Sequence, residues 1–343
     1  MAELLADHTT FRLGGPAAHW VEPGTEADLI AAVAEADAAG APVLVLGGGS
    51  NVLVADDGFD GIVVHTGRLR GVRDEDVAAC SGAFVEVACG EPWDAFVASR
   101  VEAGQAGIEA LSGIPGLVGA TPIQNVGAYG QEVSQTIARV RCWDRTEREA
   151  HTFSVVDCGF GYRSSRFKAE AGRWLVLSVS FQFRLGETST PVRYAELAAA
   201  LGVEPGERAP LADVRRAVLA LRRGKGMVVD PDDHDSWSAG SFFTNPVLAD
   251  ASLLPAGAPA YPQPDGGVKT SAAWLIEHAG FSRGYGRGLA RISGKHTLAL
   301  TNRGGARTAE VLELAHEIRE GVEAAYGIRL TPEPVLVGVA LEP

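Results

Sequence analysis

The feature that most narrows the folds open to this chain is a pair of glycine-rich stretches, neither of which suits a regular element. The first, Gly47-Gly48-Gly49-Ser50-Asn51, follows directly on Pro42-Val-Leu-Val-Leu46, a short apolar run that reads as a strand. A strand feeding a glycine turn is a ligand-binding geometry. Residues without Cβ let the backbone approach a diphosphate, and successive N–H groups can form an anion-binding nest. The run lacks both GK[ST] and GxGxxG, and by itself it is equally well an ordinary tight turn. The second stretch, Leu111 to Gly130, holds five glycines and two prolines in twenty residues. That composition makes a poor helix or strand and a good path over a flat cofactor. Two such stretches in one domain suggest a dinucleotide.

Around them the chain alternates helix and strand. Thr25 with Asp28 three residues on is an N-terminal cap signature, the apolar run Leu29 to Ala36 follows, and Gly40 supplies a stop, so a helix is expected from about Glu26 to Ala39. Strands are expected at Gly61 to Val64 and Ala83 to Ala88, and a helix from Pro92 to near Gly104. Ile137 to Trp143 and Trp174 to Leu185 alternate at strand period, most clearly through Leu175, Leu177, Val179, Phe181 and Phe183, as half-buried strands of one sheet would. Leu211 to Arg223 has helical spacing and runs into Gly224-Lys225-Gly226, a hinge after which Pro, Gly, Asp and Ser dominate to about Asp235. Later elements are helices at Lys269 to Ala279 and Thr308 to Tyr326 and strands near Thr297 to Leu300 and Pro334 to Val339.

At 343 residues the chain is longer than one core usually serves, so two or three subdomains are expected. With 30 Lys and Arg against 43 Asp and Glu, its net charge of −13 repels nucleic acid and anionic lipid. An anionic substrate would then need a local basic pocket. No run of about 18 apolar residues and no basic-then-apolar leader is present, so a cytoplasmic protein without membrane attachment is expected. Cys80, Cys89, Cys142 and Cys158 have no CxxC pairing and read as reduced, structural core thiols. None of the eight histidines has HxH or HxxxH spacing, and no metal is expected.

Together, GGGSNVLV from Gly47 and SGIPGLVGATPIQNVGAYGQEV from Ser112 closely resemble the FAD-binding domain of the UDP-N-acetylenolpyruvoylglucosamine reductase (UDP-N-acetylmuramate dehydrogenase) family. The resemblance continues, in order, through HTTFRLGGPA at 8–17, FGYRSSRFK at 160–168, SAGSFFTNP at 238–246, YPQPDGGVKTSAAWLIEHAGF at 261–281 and LTPEPVLVG at 330–338. It implies an α+β fold: a vanillyl-alcohol-oxidase-like (PCMH-type) FAD-binding domain in two subdomains, 1–66 (joined by 329–343) and 67–222, plus a smaller α+β substrate-binding domain, 223–328. It also implies FAD held by Gly47, Gly48, Gly49, Ser50, Asn51, Pro115, Gly116, Gly119, Ala120, Thr121, Ile123 and Gly127. NADPH is the implied co-substrate and a UDP-sugar enolpyruvyl ether the substrate, reduced to UDP-N-acetylmuramate by a monomer in peptidoglycan precursor synthesis.

Three positions carry the implied chemistry. Hydride delivery to a vinyl ether leaves negative charge on the carbon bearing the carboxylate, which must be stabilised and protonated. Arg163 is the implied permanent cation on the carboxylate, though an arginine here could also be an ordinary surface ion-pair partner. Ser241 is the implied proton donor; a hydroxyl is protonated at neutral pH, while a turn or cap serine is the alternative. Glu333, held between Pro332 and Pro334, is the implied stabiliser of the enolic intermediate, for which its pKa must rise; an exposed glutamate at the start of a strand is the alternative.

Tyr194 on a loop closing over the UDP moiety and Lys225 at the diphosphate are implied substrate contacts, with Asn245 and Tyr261 in matched motifs. The Tyr194 segment marks the family's longer type, with a tyrosine lid. Two segments depart from the pattern: 227–237 is longer than expected and 281–291 matches poorly. Two other functions fit parts of the sequence. An oxygen-using oxidase of an alcohol or aldonolactone would share the flavin fold, although many tether flavin to a histidine that Gly47 to Asn51 lacks. A non-enzymatic nucleotide-binding module would use the glycine run but leave Arg163, Ser241 and Glu333 without a joint purpose.

Overall fold

The Thr25–Asp28 signature does form a capping box: the Asp28 amide donates to the Thr25 hydroxyl at 3.1 Å and the Thr25 amide to the Asp28 carboxylate at 3.0 Å, opening a helix over Glu26–Ala38. Gly40 ends it at φ 66°, a conformation that favours glycine. The chain then enters the strand Val43–Leu46, which pairs in parallel with Phe59–His65, with Ala17–Val21 on the far side of the latter. These elements come from a computed structural model that describes residues 3–78, 80–263 and 266–341. Pro264 and Asp265 of the YPQPDGG motif lie outside the described residues.

The chain divides into two units, one of Ala18–Gly48 and Asp60–Arg223, the other of Met1–Ala17, Gly49–Phe59 and Gly224–Pro343. In the first, an antiparallel sheet runs in the order Glu149–Ser154, Ile137–Asp144, Trp174–Leu185, Gly82–Ala88, Val72–Ala78. The helix Trp93–Glu102 packs on it through Trp93, Phe96 and Val97, against Phe181 and Phe183. Each such buried aromatic contributes about 1.5–3 kcal/mol by leaving water.

The pairing register of Trp174–Leu185 is interrupted although its sequence alternation is not. Arg141 pairs with Ser178 but Cys142 with Val176, so Leu177 is an extra residue in a β-bulge. The bulge changes which face each parity serves. Leu175 and Leu177 join Leu29 and Val33 of the capped helix, while Val179, Phe181 and Phe183 join the Trp93 cluster. The five residues therefore do not share one face, and the strand is buried on both sides from Leu175 to Phe181 rather than half-buried. Cys89, Cys142 and Cys158 lie in these cores, but Cys80 is exposed, which corrects its reading as a core thiol. The elements that were not anticipated include the edge strands Val72–Ala78 and Glu149–Ser154 and the helix Ala195–Leu201.

In the other unit the helix Thr308–Tyr326 presents Val311, Leu314, Ala315, Ile318 and Val322, at spacings of three and four, to Phe242, Leu275, Ile276, Ile292 and Leu300. Its first amides, Thr308 and Ala309, donate to the Asp56 carboxylate at 2.8 and 3.2 Å. Asp56 follows the strand Val52–Val54, which pairs in parallel with Val335–Val337. The helix Ala272–His278 and a hairpin of Ala290–Ile292 with Leu300–Asn302 complete this core. Among the described residues no helix is long and apolar enough to cross a membrane.

Candidate active site

Within the unit of Ala18–Gly48 and Asp60–Arg223, the two glycine-rich stretches meet backbone to backbone. A Cβ on Gly48 would stand 2.7 Å from the Gly116 Cα. Only a residue without one fits. Gly47 faces Leu117 and Ala120 at ordinary distances of 3.8 and 3.9 Å. Gly119 lies under Cys89, to whose carbonyl its amide donates at 2.8 Å, and the Thr121 hydroxyl closes a turn on Val118 O at 2.8 Å. Further along, Ile123 O accepts from the Ser165 hydroxyl at 2.5 Å and Gly127 O from the Arg163 guanidinium at 3.1 Å. Gly47, Gly48, Gly116, Ala120, Ile123, Gly127 and Arg163 thus form one connected region. Pro115 precedes Gly116 on the same path.

Arg163 itself is conformationally unusual. The amides and carbonyls of Gly161 and Ser164 bond reciprocally at 3.0 and 3.2 Å, and Arg163, third in that turn, takes φ 51°. A type II turn normally places glycine there, and a side chain costs about 1–2 kcal/mol. Asn125 and Tyr129 of the second glycine-rich stretch also have φ 50°. Strain of this kind tends to gather where function holds it.

Two neighbours of Arg163 were not singled out from the sequence. Arg222, near the end of the helix Leu211–Gly224, interacts with Tyr129, Asp94 and Arg163, and burial lowers its guanidinium to about 10. Burial also raises the Tyr129 phenol to about 12. Asp94 is pushed up by burial, but Arg215, at 2.6 and 3.0 Å, and the Gly113 amide at 2.6 Å outweigh this and hold it below the usual carboxylate range. Two guanidiniums in one neighbourhood make a local cationic spot in a chain of net charge −13. Its sequence signal was the basic cluster Arg222-Arg223-Gly224-Lys225. Tyr194, 47 % exposed, meets Tyr129 edge-on at 5.4 Å between ring centres and stands at the N-cap of Ala195–Leu201.

In the unit that contains Gly49–Phe59 and Gly224–Pro343, Ser241 and Glu333 come together. Phe242 O accepts the Glu333 amide at 2.9 Å, and Phe243 bridges to Pro332. Glu333 O in turn accepts from the Asn51 side chain at 3.4 Å, and Asn51 O from the Val335 amide at 2.9 Å. Ser241, Glu333 and the last part of the glycine run are therefore held in one backbone network, with Ser241 and Glu333 both half-buried. Ser50 lies between Gly49 and Asn51 in that run. Gly49, at φ 58°, would drive a Cβ into His8 O, and the change in sign of φ there is what an N–H nest requires. The residues present fit a diphosphate-bearing cofactor.

Asn245 is partly committed elsewhere, since its Oδ1 accepts the first amide of the helix Ala272–His278 at 2.9 Å. Tyr261 is 50 % exposed on a short strand, and Lys225 is half-buried just beyond the helix Leu211–Gly224. Among the described residues no cluster of three or more His, Cys, Asp or Glu could hold a metal.

Two family models match, "FAD binding domain" over residues 17–152 and "UDP-N-acetylenolpyruvoylglucosamine reductase, C-terminal domain" over residues 230–337. The UDP-N-acetylenolpyruvoylglucosamine reductase of Cutibacterium acnes is 57 % identical over 340 residues, covering 98 % of this chain and 90 % of that protein. The chain belongs to the UDP-N-acetylenolpyruvoylglucosamine reductase family. A Streptomyces coelicolor reductase of the same name is 56 % identical over 350 residues, covering 98 % and 90 %. The solved reductase of Thermus caldophilus is 26 % identical, with a TM-score of 0.65 over 98 % of both chains. The fold is thus the α+β FAD-binding type of this reductase family. Ser241, Asn245, Tyr261 and Glu333 lie in the stretch matched to the reductase C-terminal domain, whereas Arg163, Tyr194 and Lys225 lie between the two matched stretches.

Proposed function

We propose that this protein reduces UDP-N-acetyl-3-O-(1-carboxyvinyl)-glucosamine to UDP-N-acetylmuramate with electrons from NADPH, as a cytoplasmic monomer in peptidoglycan precursor synthesis. FAD, when bound, supplies the hydride, taken from NADPH and delivered to the methylene carbon of the enolpyruvyl ether. The residues proposed to hold it are Gly47 to Asn51, Pro115, Gly116, Gly119, Ala120, Thr121, Ile123 and Gly127. In functional terms, 1–66 with 329–343 and 67–222 serve the cofactor and 223–328 the substrate.

The rest of the chemistry falls to side chains. Arg163 holds the substrate carboxylate through the charge that develops on the adjacent carbon. The new C–H bond to the methylene makes a methyl group, and the electron pair of the former double bond rests on the carboxylate-bearing carbon. Ser241 Oγ gives that carbon its proton and regains one from solvent, with Glu333 beside the enolic carboxylate. Tyr194, Lys225, Asn245 and Tyr261 bind the UDP sugar, Lys225 as a compact partner for the diphosphate.

The observation that carries this reading is the Glu333–Phe242 hydrogen bond, which joins the proton donor's neighbour to the proposed carboxylate stabiliser and, through Asn51, to the glycine run. It is tested with the purified protein reconstituted with FAD. NADPH should be consumed only when the enolpyruvyl UDP sugar is added. A protein that takes up no FAD, or that oxidises NADPH equally well with oxygen alone, contradicts the reading.

A further inference from the structure

The segment His8 to Leu13 belongs to a motif that the chemistry above leaves without a role, yet it braces two of that chemistry's parts. The Thr10 amide donates to Gly49 O at 3.1 Å, and its hydroxyl donates to Ser238 O at 2.6 Å. Ser238 precedes Ser241 by three residues, and Phe242, just after it, is anchored through its amide to Leu298 O at 2.7 Å. Between these anchors lies Gly240, at φ 75° with nothing within 4 Å of where a Cβ would be, so the backbone there has little side-chain packing of its own. The Thr10 hydroxyl is the anchor on the upstream side.

The same segment is fastened a second time. Arg12, at φ 53°, stacks its guanidinium 4.0 Å from the centre of the Trp237 ring. Buried Asn302 donates through its side chain to Phe11 O at 3.1 Å and Arg12 O at 3.3 Å, and through its amide to Trp237 O at 3.0 Å. Trp237 closes the long 227–237 segment, whose Asp233 and Asp235 pair with Lys295 at 2.6 Å and Arg303 at 2.7 Å. The strained Arg12 backbone is hard to account for as surface decoration, because the contacts of Thr10, Arg12 and Asn302 converge on Trp237 and Ser238, just before Gly240, while the ion pairs of Asp233 and Asp235 hold the chain immediately upstream.

We propose that Thr10 is a positioning residue for the protonation step, assisted by Arg12: its amide fixes Gly49 of the cofactor loop, and its hydroxyl fixes the approach to Ser241. One residue then ties the Gly49 turn to the segment leading into the proton donor. This rests on the reading of Ser241 as the proton donor. A displacement of about 1 Å in such a donor can cost on the order of a hundredfold in rate.

Thr10→Val keeps shape and the amide bond to Gly49 but loses the hydroxyl, and Thr10→Ser restores it. In the FAD-loaded T10V protein, flavin reduction by NADPH should stay within about twofold of wild type while reoxidation by the enolpyruvyl sugar falls about tenfold or more, and T10S should recover it. Independently of turnover, amide exchange over residues 237–242 should quicken in T10V while that of the helix Thr308–Tyr326 does not. Added to S241A, T10V should cause no further loss. Equal slowing of both half-reactions, unchanged reoxidation, no recovery in T10S, unchanged exchange or an additive loss overturns the proposal. Should T10V fail to fold, R12M must show the same selective loss, and equal slowing there overturns it. Wild-type reoxidation in S241A would sink the donor assignment and this role together, whereas a wild-type T10V beside a slow S241A sinks only Thr10.

Discussion

The amide of Glu333 donates to the carbonyl of Phe242 at 2.9 Å, so the residue following Ser241 and the carboxylate-bearing residue between two prolines share one backbone bond. That bond joins main-chain atoms only, so it survives a change of either side chain. Substitutions at Ser241 or Glu333 should therefore change chemistry with little effect on folding, which makes kinetic tests of their roles clean.

Gly48 and Gly47 separate packing from cofactor approach. Gly48→Ala puts a methyl 2.7 Å from backbone at Gly116, where nothing flexible can give, and should cost about 1–3 kcal/mol of stability together with most FAD affinity. Gly47→Ala meets only ordinary contacts at 3.8 and 3.9 Å, so its thermal midpoint should hardly move. A Gly47→Ala apoprotein that melts normally but binds FAD about tenfold more weakly, by flavin titration, would locate the cofactor against this backbone.

Arg163→Gly and Arg163→Ala both remove the proposed carboxylate partner, and both should raise KM and lower kcat/KM for the UDP sugar. They differ in backbone strain. At φ 51° the glycine variant should be more stable than the alanine variant by about 1 kcal/mol in chemical denaturation. Equal stabilities would mean the turn opens when the guanidinium is lost.

Asp144 is buried and bonded to Arg173 at 2.6 Å, which together with two turn amides holds its carboxyl at about 2 instead of the usual 3.8. A group depressed in the folded state stabilises fully above its unfolded pKa and loses that contribution as pH falls through the folded one. The pair's stabilisation should be intact at pH 5 and disappear between about pH 4 and pH 2. Asp144→Asn should be less stable than wild type at pH 7, with a gap in denaturation midpoint that narrows across that window.

Thiol reactivity should be confined to Cys80. Burial raises Cys89 and Cys158 to about 12 and Cys142 higher still, so these thiols are neither reachable nor ionised at neutral pH. Alkylation of the native protein should modify one cysteine per chain, and Cys80→Ser should abolish it. Labelling of a second cysteine in the folded protein would contradict the burial.

What the sequence allowed to be read follows from what local chemistry determines. The helix Glu26–Ala38 was legible because its cap, apolar run and stop lie within sixteen residues. The strand Val72–Ala78, VRDEDVA, was not, because an exposed edge strand needs no apolar face and is kept charged against further pairing. The bulge at Leu177 left no trace in an alternation that runs through it unbroken, since the extra residue is defined only by its partner strand. At the site, the glycine stretches and the Arg163, Ser241 and Glu333 motifs were visible as motifs, whereas Arg222 and Tyr129 become noteworthy only once their burial and their proximity are known. Thr10 lay in a matched motif and acquires its role only through a bond to Ser238, 228 positions away.

The central claim is most directly tested by stopped-flow absorbance of FAD-loaded Ser241→Ala, with the two half-reactions followed separately. NADPH should reduce the flavin at close to the wild-type rate, because that step needs no proton from Ser241, and the enolpyruvyl UDP sugar should then reoxidise it more slowly by several orders of magnitude. Reoxidation at the wild-type rate, or an equal slowing of both half-reactions, would contradict the account.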